Sequence, residues 1–324
     1  MDHWMNGFLY RKCRCALPAA LRVIGVVLLL ATSAQAKKDA ALIYQEGGGF
    51  EPDKVVDYKA APKQPLQLHI FHPPGFKPTD KRPAIVLFFG GGWSGNNPKQ
   101  FYPQAEYLAA RGMVAICVTY RSNSKYKTKP YDCVEDGKSA IRYVRGHAAK
   151  LGIDPCKVAA GGGSAGGHIA AATATVKDWD CPDDDLSISA IPDALLLFNP
   201  VYNNGPGGYG NNEKDNRVSN YWKNFSPLHN LDGNQPPTLV LMGSRDKHTP
   251  VDITEEYDRR MEANGNRCET IIYEGQKHGF FNMHKRGEEF FLKTIIEADR
   301  FLVSLGYLDG EPTAEAWFAE QKNR

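Results

Sequence analysis

The chain has 324 residues, 42% of them hydrophobic and 23% charged, with a formal net charge of +2. Much of that basicity sits in residues 1–36, where Arg11, Lys12, Arg14 and Arg22 outweigh Asp2; without this segment the net charge is −1 over 288 residues. Such a length suits one large domain with a substantial core, and such a balance argues against a nucleic-acid partner, which needs a clustered basic face.

Residues 1–36 read as an export signal. A basic region precedes the apolar run Val23 to Ala31, and Ala34-Gln35-Ala36 supplies the small-x-small pattern that a signal peptidase cuts. The run uninterrupted by charge is about nine residues, against the roughly 20 that a membrane span needs. No cysteine follows closely, which disfavours a lipid anchor. The expectation is a secreted or periplasmic protein, cleaved near Ala36, with no stable membrane insertion. Residues 37–53, including "QEGGGFEPD", read as a flexible N-terminal arm.

Residues 54–308 alternate between strand-like and helix-like segments, with no internal repeat and no dividing linker. "KVVDYKA" and "LQLHIFHP" suggest an opening antiparallel pair. Uniformly apolar runs follow at 84–89, 114–120, 157–161, 194–199, 238–243 and 269–275, the pattern of strands buried on both faces of a mainly parallel sheet. Between them, 132–149 has helical spacing (Val134, Ala140, Ile141, Val144) with Asp132 as N-cap, and 287–304 places Phe291, Ile295, Ala298 and Leu302 on one face. The reading is an α/β fold: a three-layer α/β/α sandwich on a largely eight-stranded sheet, with ligands outside the carboxyl ends of its strands.

Residues 201–230 are long for a connection and rich in Gly, Asn and aromatics. They read either as a lid or substrate wall or as a partly helical cover with Tyr221 and Trp222 packed inward. Trp93, Tyr202, Tyr209 and Trp222 are candidate substrate contacts. Residues 309–324 form a tail that is either a short amphipathic helix held by Trp317 and Phe318 or disordered. Cys117, inside an apolar strand, reads as a buried free thiol; Cys133, Cys156, Cys181 and Cys268 could pair in three ways. No C-x-x-C or H-E-x-x-H spacing supports a metal site.

The chemistry centres on "GGGSAGGH" (161–168), which lies between a short strand and a small-residue helix. Gly162-Gly163-Ser164-Ala165-Gly166 fits G-x-S-x-G, the turn that lifts a serine clear of a sheet. A serine hydroxyl needs a base and a group to orient that base. Asp246 follows the strand 238–243 and His278 follows 269–275, giving the chain order Ser164, Asp246, His278. Asp252 rivals Asp246, and His168, His248 and His284 rival His278, which fits best by position. The glycine turn in "FFGGGWSGN" (88–96) supplies backbone donors for an oxyanion, assigned to Gly91 and Gly92 with the N–H of Ala165. Arg121, closing "VTYR", reads as an anion clamp or as a structural donor to loop carbonyls.

"GGGW", "TYR" (119–121), "GGSAGGH", "LMGSRDKHTPV" and "KHGF" together resemble the α/β-hydrolase superfamily, and within it the bacterial esterase branch that holds hormone-sensitive-lipase-like, acetylxylan and feruloyl esterases. The resemblance spans roughly 55–305. It implies a cofactor-free serine carboxylesterase acting on a small-molecule or oligosaccharide ester, with acetyl or aryl groups on carbohydrate as the expected substrate class. One position departs from it: the family has histidine, whose side chain helps hold the loop, where this chain has Phe89. Two rival functions stand beside it: a prolyl-oligopeptidase-like peptidase, and a non-catalytic binding protein on a hydrolase scaffold.

Overall fold

Period-two alternation sorts the central strands' side chains onto two faces: in β3 (Arg82–Phe88), Ala84, Val86 and Phe88 enter one core layer and Ile85 and Leu87 the other. The computed structural model describes residues 49–283 and 288–321. The expected export signal, most of the expected arm and His284 lie outside these residues.

β3 sits at the middle of one eight-stranded sheet. Its companions are β1 (Lys54–Lys59), β2 (Leu66–Phe71), β4 (Val114–Val118), β5 (Ile153–Gly163), β6 (Ala194–Phe198), β7 (Thr238–Gly243) and β8 (Cys268–Tyr273). The order is β1-β2-β4-β3-β5-β6-β7-β8. β1 and β2 pair antiparallel, as do β2 and β4, and every later neighbour is parallel. The helices are α1 (Tyr102–Ala110), α2 (Asn123–Tyr126), α3 (Pro130–Gly146), α4 (Ala148–Leu151), α5 (Ala165–Thr175), α6 (Val251–Ala263), α7 (Glu288–Ser304) and α8 (Ala314–Gln321). Apolar residues of α3, α5 and α6 cover one face of the sheet, and those of α1, α7 and α8 the other. Each fully buried Val, Leu, Ile or Phe adds about 1.5–3 kcal/mol of burial free energy, so the sandwich is held mainly by these two layers.

Two local expectations change. β8 is not a doubly buried strand: as the sheet's edge, it buries only Tyr273 fully. Asp132 is not an N-cap. α3 starts two residues earlier at Pro130, whose fixed φ suits a first turn, and the Asp132 carboxylate accepts the Lys129 N–H from the third helical position at 2.7 Å. Of the two readings of the tail, the helical one holds over the described residues: Trp317 and Phe318 of α8 pack against Tyr107 and Phe291, and Arg111 donates to the carbonyls of Asp309 and Gly310. The five cysteines among the described residues are free thiols, so the pairings left open for Cys133, Cys156, Cys181 and Cys268 do not form. Cys117 is buried in the core layer under α1.

α3 and α5 meet at Gly137, where a Cβ would lie 2.5 Å from Ile169 Cγ2 on the helix that follows Ser164. Alanine gains about 1 kcal/mol in helix propensity, but overpacking costs about 1–3 kcal/mol. Gly137→Ala is expected to lower stability in urea unfolding, and a raised midpoint would show that Ile169 can turn away freely.

Candidate active site

β5 ends in a turn that only some residues allow. Ser164 has φ 56° and ψ −119°, the strained positive-φ geometry of a nucleophile elbow, and its N–H is taken by the Phe198 carbonyl at 3.0 Å. One turn on, Gly166 passes so close to β3 that a Cβ would stand 2.0 Å from the Phe88 carbonyl oxygen. That contact excludes any side chain and sets the start of α5 against the end of β3.

The loops after β7 and β8 bring the other groups to Ser164. His278 Nε2 lies 2.7 Å from Ser164 Oγ, and its Nδ1 lies 2.7 Å from Asp246 Oδ2. A carboxylate on Nδ1 fixes the tautomer: Nδ1 carries the hydrogen and Nε2 offers its lone pair to the hydroxyl. The Asp246 side chain is wholly buried, and its second oxygen accepts the N–H groups of His248 at 2.8 Å and Thr249 at 3.3 Å. Those bonds satisfy a buried charge that would otherwise be costly. Asp252 is exposed on α6. His168 is buried, its Nε2 donating to the Phe225 carbonyl at 3.1 Å, and burial pulls its pKa down to about 3. His248 stands edge-on to His278 with centroids 4.6 Å apart; burial and that neighbour hold it below the usual histidine range.

On the opposite side of Ser164 lies the glycine loop. Gly91 and Gly92 have φ of 110° and 61°, and Gly90 is so near that a Cβ on it would sit 3.2 Å from Ser164 Cβ. The Gly91 carbonyl turns away to accept the N–H groups of Ser94 and Gly95. No acceptor among the described residues takes the N–H of Gly91, Gly92 or Ala165, which leaves all three available to a charge developing beside Ser164.

Phe89, the one departure from the resemblance, is anchored by contacts of its own. Its ring stacks on Tyr120 at 4.1 Å, and its carbonyl accepts the Tyr120 hydroxyl at 2.7 Å. Further along, the Gly90 N–H donates to Gln100 Oε1 at 2.6 Å, and Arg217 donates to the Gly92 carbonyl at 2.6 Å. Arg217 is itself held by two-pronged bonding to Asp215 and lies over the rings of Trp93 and Tyr209.

A cleft of about 610 Å³ opens over Ser164 and His278, lined on its polar flank by Ser94, Asn96, Asn97, Gln100, Tyr209, Arg217 and His248. Of the four candidate substrate contacts only Tyr209 reaches it. Trp93 is 1% exposed and lies edge-on to His168; Tyr202 is 0% exposed and stacks on Tyr257; Trp222 packs half-buried against His229. Trp93 and Tyr202 are thereby core residues, and Trp222 lies outside the cleft. The 201–230 segment is both wall and cover: Tyr209 and Arg217 face the cleft, while Val218, Phe225 and Leu228 are buried. Arg121 is structural, but its partners are carboxylates, Asp136 and Glu135, rather than loop carbonyls. Among the described residues no group of His, Cys, Asp or Glu could hold a metal ion, and no helix is long and apolar enough to cross a membrane.

Two family models match the chain: BD-FAE over residues 68–192 and the dienelactone hydrolase family over 209–299. Among solved structures, apo Thermogutta terrifontis esterase 2 is 44% identical with a TM-score of 0.76, over 80% of this chain and 96% of that one. The chain is an α/β-hydrolase of the esterase branch. Esterase LipC of Mycobacterium tuberculosis is 28% identical over 63% of this chain and 54% of its own. An acetylxylan esterase of Xylanibacter ruminicola is 28% identical over 61% and 41%. The chain thus spans about half the length of these curated relatives.

Within this hydrolase, sequence reasoning placed Ser164, Asp246 and His278 and missed the residues that hold their loops: Gln100, Asn199, Asn282 and Arg217. Gln100 and Asn282 each follow a glycine turn by a few residues, whereas Asn199 and Arg217 carry no such local mark. The buried His168 carries a testable consequence. The folded chain stays unprotonated there down to about pH 3, whereas the unfolded chain takes up a proton below its ordinary value of 6.5. Stability is therefore complete above 6.5 and falls as pH drops below it, by up to about 1.4 kcal/mol per pH unit. Urea unfolding at pH 7.5 and 5.0 should show a shallower loss in His168→Gln than in the parent, and equal slopes would place the proton elsewhere.

Proposed function

We propose that this hydrolase cleaves carboxylic esters through an acyl-enzyme. The observation that carries this reading is the unbroken line from Ser164 Oγ to His278 Nε2 and from His278 Nδ1 to Asp246, 2.7 Å at each step. Ser164 Oγ attacks the ester carbonyl as His278 takes its proton, and the tetrahedral oxyanion rests on the N–H groups of Gly91, Gly92 and Ala165. His278 then protonates the departing alkoxide. Asp246 keeps the imidazole oriented and stabilises it while charged. Water, activated by the same imidazole, attacks the acyl group and restores Ser164.

The polar flank of the cleft supports a hydroxylated leaving group, and with the acetylxylan esterase relative it favours acetyl or aryl groups on carbohydrate. Solved forms of Thermogutta terrifontis esterase 2 include propionate-bound, butyrate-bound and paraoxon-phosphorylated ones, which supports short acyl groups and an activated serine. Export rests on the sequence of residues 1–36 alone. The binding-protein reading leaned on Phe89, and the contacts that hold the glycine loop without a histidine weaken it.

The test is turnover of acetyl, butyryl and feruloyl esters and of acetylated xylo-oligosaccharides, with fluorophosphonate labelling alongside. Ser164→Ala should lose labelling altogether and lower kcat by about 10⁴-fold or more. Wild-type protein that neither labels nor turns over any ester would overturn the enzyme reading, and acetyl-ester turnover without activity on the oligosaccharides would overturn the carbohydrate one.

A further inference from the structure

The two loops that flank Ser164 come from distant parts of the chain, yet a single file of hydrogen bonds joins them. The Gly90 N–H donates to Gln100 Oε1 at 2.6 Å, and Gln100 Nε2 donates to Asn282 Oδ1 at 2.9 Å. Asn282 Nδ2 donates to the Gly279 carbonyl at 2.9 Å, and the Gly279 N–H donates to Asn199 Oδ1 at 2.9 Å. Asn199 closes β6 with its own N–H on the Leu241 carbonyl of β7 at 2.8 Å. Gly90 precedes the oxyanion glycines and Gly279 follows the base. Asn199 and Asn282 are buried, and all three side-chain amides border the cleft.

We propose that Gln100 and Asn282 are positioning residues: their amides brace the oxyanion loop against the base loop. The file runs in one sense. Gln100 and Asn282 each accept through oxygen and donate through nitrogen, so neither can be replaced by a carboxylate without setting two acceptors face to face. With Gln100→Glu, the carboxylate still accepts the Gly90 N–H but confronts Asn282 Oδ1. If Asn282 turns its amide to meet that carboxylate, its oxygen then confronts the Gly279 carbonyl. Either way one link breaks while side-chain volume hardly changes. Asn282 is buried and leaves such a mismatch little room to relax, and the displaced groups are those that must meet the reacting carbonyl within a fraction of an ångström.

The proposal rests on the esterase reading for its kinetics, and a second readout frees it from that dependence. Gln100→Glu, Gln100→Ala, Asn282→Ala and the double alanine variant are assayed on a butyryl ester well below their own unfolding midpoints. Each single variant should lower kcat by about 10- to 100-fold while KM moves far less. The double variant should lose no more than the worse single one, since both cut the same file. In hydrogen exchange, Gln100→Ala should raise exchange in residues 276–283 as well as in 88–96. Single variants that keep kcat within about twofold, losses that multiply in the double variant, or faster exchange confined to 88–96 would each overturn the brace. Failure of wild-type turnover counts against the esterase reading alone, and the exchange result still decides the brace.

Discussion

The absence of a side chain at Gly166 is the condition on which the site depends. The start of α5 lies directly against the carbonyls of Phe88 and Phe89, with a Cβ at 166 excluded at 2.0 Å and 2.4 Å. This contact does two things at once. It lets the chain turn sharply enough to hold Ser164 at positive φ, and it brings the end of β3 to the nucleophile. Because the glycine loop is the continuation of β3, oxyanion donors and nucleophile share one structural join. The strain at Ser164 is sustained because β5 before it lies in the central sheet and α5 after it is held against β3.

The remaining groups come from the other half of the sheet. Asp246 is wholly buried, and the donors around it give the carboxylate a fixed orientation before any substrate arrives. Such preorganisation is where hydrolases of this kind gain most of their rate, since fixed dipoles need not rearrange as charge develops.

Much of this was legible in the chain because its signals are local. The doubly buried strands are unbroken apolar runs, the nucleophile and acid each follow one of them within a few residues, and the base follows the edge strand β8. Helix α3 was displaced by two residues because Asp132 imitates a cap, whereas it bonds the Lys129 N–H from inside the first turn. The aromatic candidates misled for a related reason. A ring near a Gly/Asn-rich stretch has the same local appearance whether it faces solvent or core; tertiary burial turned Trp93 and Tyr202 inward, and Trp222 packs against His229 away from the cleft. Gln100 and Asn282 stand 182 positions apart, so no window on the sequence brings them together. Phe89 was readable as a departure from the family, but what holds the loop in its place was not.

Arg217 ties the cover segment to the Gly92 carbonyl. The segment that shapes the cleft's outer wall is thereby a mechanical part of the loop beside the nucleophile. In many enzymes surface insertions can be traded between relatives to change what is accepted, leaving the chemistry alone. Here selectivity and rate are inherited together, and a transplanted cover must bring its own arginine and aspartate or disturb the apparatus beneath it.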